Sequence, residues 1–216
     1  MSTINLQTMS DIELDFSALA KRQCCHSSST EVNVDAFEEL ASDIFWNEGY
    51  WVRNGFKVEL TREEKIRIGR HSTPRWEIDL VAFSPTSNEV LALECKSYLD
   101  SGGVHAAHFA EGSRYATRYK LFHDATLRDT VLERLRLQMV QSGLCPVSAR
   151  VRLGLVHAHV TIRNAALLRD IFEAQDWLLF GPDWIRERLE RMSRGSYENN
   201  TAAVVAKLLL RTAPRA

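Results

Sequence analysis

The sequence lacks several features that would by themselves indicate a functional class. It contains only four cysteines, of which Cys24 and Cys25 are adjacent while Cys95 and Cys145 stand alone. This spacing builds neither a disulfide framework nor a tetrahedral zinc site. No apolar run approaches the length of a membrane span, and the N-terminus lacks a basic region followed by an apolar core. We therefore expect a cytoplasmic protein with no membrane partner.

A glycine-rich phosphate loop, an internal repeat and a strong net charge are also missing. The formal net charge is −1, which does not by itself indicate a nucleic-acid-binding protein. The charge is unevenly distributed, because residues 1–48 hold 9 acidic and 2 basic side chains and the remainder holds 19 acidic and 25 basic ones. A mildly basic body is compatible with phosphate binding, although arginines are also common on the solvated faces of helices.

The length of 216 residues suits one globular domain. We expect residues 1–30, which are polar, to be a flexible leader, and residues 31–216 to be a single domain. Its core is predicted at about 34–120, with a C-terminal strand and helix extension at about 145–211. Strands separated by helices predict an α/β fold with a central mixed β-sheet flanked by helices. The expected order is helix, three-strand meander, helices, strand, helix, short strand and C-terminal helices.

Two adjacent predicted strands carry charge where an ordinary buried strand would not. The first runs from Trp76 to Phe83 and contains Asp79, and the second runs from Val90 to Lys96 and contains Glu94. Side chains alternate along a strand, so Glu94 and Lys96 are expected on the same face. Buried charges must pair or hold a metal ion, and hard divalent cations prefer carboxylate oxygens. The pattern therefore predicts a Mg²⁺ site, although a Glu–Lys pair at this spacing also occurs on ordinary solvated strands.

An amphipathic helix is predicted from Val34 to Glu48, with Asn33 as its N-cap. Its apolar residues recur at helical spacing and would face the sheet. Glu38 lies within this apolar stripe, whereas Glu39 lies on the polar side. Glu38 is therefore the glutamate expected to reach the metal site, although both can be surface residues at the edge of the stripe.

Other segments give local signals. A strand is predicted from Tyr50 to Leu60 with a turn or bulge at Asn54-Gly55, and Thr61 to Glu64 forms a capping-box pattern. A one-sided edge strand is predicted from Val151 to Val160.

A helix is predicted from about His105 to Phe122, with Arg114, Tyr115 and Arg118 on neighbouring turns. These side chains would form either a phosphate-contacting surface or an ordinary solvated face.

The order of these elements resembles the core of the PD-(D/E)xK nuclease superfamily. The elements that carry the resemblance are a helix with Glu38, a strand from Tyr50, a strand with Asp79, a strand with Glu94-Cys95-Lys96 and then a helix. The segment from Ala36-Phe37-Glu38-Glu39-Leu40 through Gly49-Tyr50-Trp51-Val52 is similar to the opening of Mrr-type restriction endonucleases and archaeal Holliday-junction resolvases. The resemblance covers roughly residues 34–119. The residue before the aspartate is Ile78 instead of the proline that names the motif.

The resemblance implies a restriction-endonuclease-like fold and a set of site residues. Asp79 and Glu94 would bind Mg²⁺, Glu38 would add a ligand, and Lys96 would assist the attacking water. The backbone carbonyl of Cys95 would be a further ligand, and Mn²⁺ is the alternative to Mg²⁺ as the bound metal ion.

The expected function is a metal-dependent nuclease that hydrolyses phosphodiester bonds, with DNA as the expected substrate and RNA left open. A homodimer or a partner protein would supply specificity. The alternatives are a non-catalytic nuclease-fold module that binds nucleic acid and a protein-interaction module.

Overall fold

The structure is a computed structural model, and it describes residues 35–72, 75–196 and 199–210. The predicted leader, the predicted N-cap Asn33 and both limits of the predicted domain lie outside these residues. In the described part of the chain, no helix is long and apolar enough to cross a membrane.

The described chain forms seven α-helices and five β-strands in the predicted order of elements. The helices are α1 (Ala36–Asn47), α2 (Arg62–Arg67), α3 (Lys120–His123), α4 (Ala125–Gln141), α5 (Ile162–Ala174), α6 (Pro182–Arg194) and α7 (Thr201–Leu210). The strands are β1 (Trp51–Val58), β2 (Trp76–Ser84), β3 (Glu89–Lys96), β4 (Arg150–His157) and β5 (Leu178–Phe180).

The five strands form one mixed sheet in the order β1-β2-β3-β4-β5. The pairs β1–β2 and β2–β3 are antiparallel, whereas β4 and β5 continue the sheet parallel to β3. The predicted α/β fold with a mixed sheet flanked by helices is therefore confirmed. The prediction that Val151 to Val160 is an edge strand is wrong, because β5 pairs with the outer side of β4 and encloses it in the sheet.

Each face of the sheet is covered by its own group of helices. On one face, apolar residues of β3 such as Val90 and Ala92 pack with α4 and α5. On the other face, Leu93 and Cys95 pack with α1, α6 and α7. The central strand β3 is consequently buried on both faces, which agrees with its nearly continuous apolar sequence.

The start of α1 differs from the prediction by two residues. The helix begins at Ala36, and its N-cap is Asp35, whose carboxylate accepts a hydrogen bond from the N–H of Phe37 at 2.7 Å. The capping box before α2 is confirmed, since Thr61 Oγ1 accepts from the N–H of Glu64 and Glu64 Oε2 accepts from the N–H of Thr61.

The helix predicted from about His105 to Phe122 is wrong. This segment forms two single 3₁₀ turns, Ala106–His108 and Ala116–Arg118, which lead into α3. Gly112, with a φ of +70°, separates the two turns in a conformation that a regular helix does not contain. The segment therefore lies beside the sheet as a folded loop.

The signal at Asn54-Gly55 marks a distortion inside a continuous strand. The β1–β2 ladder pairs Asn54 with Leu80 and Phe56 with Ile78, but it omits Gly55 and Asp79, and Gly55 has a φ of +57°. The regular alternation of β2 side chains between the two faces of the sheet is interrupted at this position, because Ile78 and Leu80, which are two residues apart, lie on opposite faces. Phe56 and Ile78 join the cluster under α4 and α5, whereas Leu80 joins the opposite cluster.

Candidate active site

Asp79 lies where strand β2 stops pairing with strand β3. The ladder between these strands ends at Leu80 and Leu93, although β2 itself extends back to Trp76. One residue beyond the ladder, Asp79 Oδ2 accepts a hydrogen bond from the N–H of Cys95 at 2.8 Å. The carboxylate is thus fixed by the main chain of the neighbouring strand at the point where the two strands diverge.

Glu94 and Lys96 lie on the same face of β3, as its alternation predicts, and Lys96 also reaches Asp79 at this point. The ammonium nitrogen of Lys96 lies 3.1 Å from Glu94 Oε1 and 3.6 Å from Asp79 Oδ2. The side chains of Lys96, Asp79 and Glu94 are 21%, 27% and 18% exposed, so the cluster is largely desolvated but open to solvent on one side. One ammonium group is shared between two converging carboxylates.

The electrostatics of the cluster keep Lys96 charged. Burial alone would lower its pKa, but the carboxylates of Glu94 and Asp79 and a hydrogen bond to Glu94 raise the pKa above its ordinary value. Burial raises the pKa of Glu94, an effect that Lys96 opposes and the negative charge of Asp79 reinforces. The site therefore holds a permanent cation beside a carboxylate that takes up protons more readily than a free one.

Glu38 approaches the cluster from the first turn of α1. It is half-buried while its neighbour Glu39 is exposed, as the apolar stripe predicted. Burial and the negative charge of Asp79 raise the pKa of Glu38 to about 7. Among the described residues its carboxylate forms no ion pair, so Glu38 is coupled to the site through its charge and not through a direct contact.

A cleft of about 190 Å³ opens between the diverging end of β2 and the segment leading into α3. Asp79 and Glu94 line one side of it, and Arg118 and Lys120 line the other. The charge of Lys120 lowers the pKa of Glu94, although burial outweighs this effect. No sequence pattern indicates a role for Lys120, because its approach to β3 depends on how the loop folds.

The donors in the site suit Mg²⁺ only in a partly hydrated form. Among the described residues, no group of three or more His, Cys, Asp or Glu side chains is arranged to hold a metal ion. Asp79 and Glu94 supply two carboxylates, and Mg²⁺ is usually bound in proteins by one or two carboxylates while it keeps several waters. Cys95 can contribute only its main-chain carbonyl, because its side chain packs with α1 on the other face and burial raises the pKa of its thiol.

Tyr98 and Tyr119 adjoin the cluster and were not identified from the sequence. Tyr98 follows β3 with a φ of +43°, a conformation that is rare for a large side chain. Tyr119 is fully buried, and burial together with a hydrogen bond to Tyr98 raises the pKa of its phenol. Both the positive φ and the hydrogen bond between the two tyrosines depend on the folded loop, so no sequence pattern indicates them.

Comparison of the chain with family models, with curated proteins and with solved structures finds no match. The resemblance to PD-(D/E)xK nucleases therefore rests on the order of elements and on the site residues alone. The nuclease assignment, the metal and the cytoplasmic location stay predictions.

Proposed function

We propose that this protein is a Mg²⁺-dependent nuclease with a restriction-endonuclease-like core that hydrolyses phosphodiester bonds in DNA. The observation that carries the proposal is the convergence of Asp79, Glu94 and Lys96 at the diverging end of two central strands. Asp79 and Glu94 face a cleft whose opposite side carries Arg118 and Lys120, an arrangement that suits a phosphate group between a metal ion and basic side chains.

In this proposal Asp79 and Glu94 hold Mg²⁺, with the carbonyl of Cys95 and the carboxylate of Glu38 as further ligands, directly or through water. The metal ion, when bound, polarises the phosphoryl oxygen and lowers the pKa of its water. Since the pKa of Glu38 is about 7, a proton competes with the metal at this carboxylate. Metal affinity should therefore increase as the pH rises through neutrality.

Lys96 acts as a fixed cation and not as a base. Its raised pKa keeps the ammonium protonated at neutral pH. A protonated amine cannot accept a proton from water, but it can donate hydrogen bonds to the attacking water and to the charged phosphate oxygens. The pair of carboxylates that holds the ammonium also fixes its direction.

A non-catalytic module is the second candidate, and two observations favour it. Lys96 already forms ion pairs with both carboxylates and neutralises part of their charge, and no three-ligand acidic group is present in the described part of the chain. The same fold would then bind nucleic acid or protein without chemistry. Exposed apolar residues of α7, including Leu208 and Leu209, favour the protein-binding form of this alternative.

Cleavage assays test the proposal. The protein is incubated with linear, circular, single-stranded and branched DNA and with RNA, each with Mg²⁺, with Mn²⁺ or with a chelator. Asp79→Ala and Lys96→Ala should lose most metal-dependent cleavage while circular dichroism shows a folded protein. Asp183→Ala is the matched control, because Asp183 is exposed at the start of α6. Cleavage that persists in both site variants would exclude this site, and a wild-type protein that cuts no substrate would support the non-catalytic module.

A further inference from the structure

Two arginines of the loop after β3 are stacked on the same tyrosine ring. The guanidinium carbons of Arg114 and Arg118 lie 4.8 and 5.7 Å from the ring centre of Tyr115. Arg114 Nη2 also donates a hydrogen bond to the hydroxyl of Tyr115 at 2.7 Å. We call these three residues the arginine clamp.

The clamp is held in place by the fold of the loop. The ring of Tyr115 is half-buried and packs on the ring of His108, with 4.2 Å between the ring centres. The N–H of Tyr115 donates to Ser113 Oγ, which in turn donates to the carbonyl of Ala107 at 3.0 Å. The ring is therefore anchored while both guanidinium groups remain exposed to solvent.

The positive charge of the clamp is not neutralised locally. Among the described residues, neither Arg114 nor Arg118 forms an ion pair with a carboxylate, in contrast to Arg134, whose guanidinium holds Glu64 at 2.6 Å. Two like charges beside one ring repel each other, and a bound anion relieves this repulsion. Burial and the positive charges of His105, Arg118 and Arg114 lower the pKa of His108 below its ordinary value. A shared ring that orients two unpaired guanidinium groups is a pre-organised anion-binding surface.

The clamp is continuous with the candidate active site. Arg118 belongs to the clamp and also lines the cleft that contains Asp79 and Glu94, and Lys120 follows two residues later on the same wall. Basic groups therefore run from the cleft onto the outer surface of the loop. A polymer of phosphates can occupy such a path, whereas a single small phosphate ester would use the cleft alone.

We propose that the arginine clamp binds the phosphodiester backbone of a nucleic-acid strand next to the phosphate that occupies the cleft. This inference rests on the proposed function for the position of the reacting phosphate. It assigns to the clamp a role in substrate binding that the acidic site cannot supply, because carboxylates repel the phosphate backbone in the absence of metal.

The test measures binding without cleavage. Fluorescence anisotropy of a labelled DNA duplex is recorded in a chelator over a series of salt concentrations. The double variant Arg114→Ala/Arg118→Ala should bind at least about tenfold more weakly at low salt, and the slope of log affinity against log salt should become shallower by about 0.9 for each phosphate that the variant no longer neutralises. The control is Arg186→Ala/Arg194→Ala, which removes the same charge from exposed positions of α6 on the other side of the sheet.

Substitutions of the ring separate the geometry of the clamp from its charge. Tyr115→Leu keeps both arginines but removes the surface on which they stack, and it should weaken binding about fivefold, as expected when a cation–π interaction is removed. Tyr115→Phe keeps the ring and removes only the hydroxyl, so it should bind nearly as the wild type does. Thermal unfolding of each variant establishes that it is folded.

The outcomes distinguish this inference from the proposed function. An unchanged affinity in the clamp variant, an equal loss in the control, or a wild-type protein that binds no DNA would overturn the inference. The selective loss of binding in the clamp variant supports it even if no cleavage is detected, in which case only the proposed nuclease activity fails. Conversely, cleavage that depends on Asp79 together with normal binding by the clamp variant supports the activity and overturns the clamp.

Discussion

Glu38 should make the stability of the metal-free protein depend on pH. Burial and the charge of Asp79 raise its pKa from the ordinary value of 4.5 to about 7 in the folded state. The folded protein therefore binds this proton more tightly than the unfolded chain does. Protonation of Glu38 therefore contributes fully to the free energy of unfolding below pH 4.5, and this contribution is lost as the pH rises through about 7.

The size of this effect follows from the pKa change. One pKa unit corresponds to about 1.4 kcal/mol, so a fully desolvated carboxyl group would contribute about 3 kcal/mol. Glu38 is only half-buried, and solvent screening reduces the expected contribution to about 1–2 kcal/mol. The substitution Glu38→Gln removes the titrating group and keeps a similar shape, so it should remove this part of the pH dependence.

Urea unfolding in a chelator measures the effect. Between pH 5 and pH 8 the free energy of unfolding of the wild type should fall by about 1–2 kcal/mol more than that of Glu38→Gln. Glu39→Gln is the control, because the exposed neighbour of Glu38 lies on the same helical turn and its variant should follow the wild type. Parallel wild-type and Glu38→Gln curves across this range would refute the argument that Glu38 is coupled to Asp79 in a desolvated site.

Three further substitutions test the geometry of the cluster by chemical denaturation. Asp79→Ala should lower the free energy of unfolding by about 1–2 kcal/mol, because the N–H of Cys95 loses its hydrogen-bond acceptor. Hydrogen exchange at the Cys95 amide should accelerate for the same reason. Lys96→Met should destabilise the protein by about 1–3 kcal/mol at pH 8 and by less at pH 5, because Glu94 can take up a proton when its cation is removed. An equal loss of stability at the two pH values would contradict the conclusion that the Lys96 ammonium stabilises the charged form of Glu94. Gly55→Ala should lower the free energy of unfolding by about 1–2 kcal/mol, since a φ of +57° is strained for alanine. An unchanged stability would show that the strand does not need this backbone conformation opposite Asp79.

Local patterns in the sequence determined several parts of this protein. Strict alternation along β3 was sufficient to place Glu94 and Lys96 together and to direct Cys95 to the opposite face. Helical periodicity distinguished Glu38 from Glu39, because a stripe of apolar residues fixes which side of a helix faces the sheet. In each case the interactions that decide the result lie within a few residues along the chain.

The tertiary structure decided where Asp79 points and what faces it. Alternation cannot predict its direction, because the strand changes face at the unpaired position opposite Gly55, and the N–H that fixes the carboxylate comes from another strand. The basic wall of the cleft comes from a loop whose 3₁₀ turns replace the helix predicted from about His105 to Phe122. Likewise, only the pairing of β5 shows that β4 lies inside the sheet. The sequence thus determined the residues of the site and the faces of its regular elements, whereas contacts between distant segments determined their convergence.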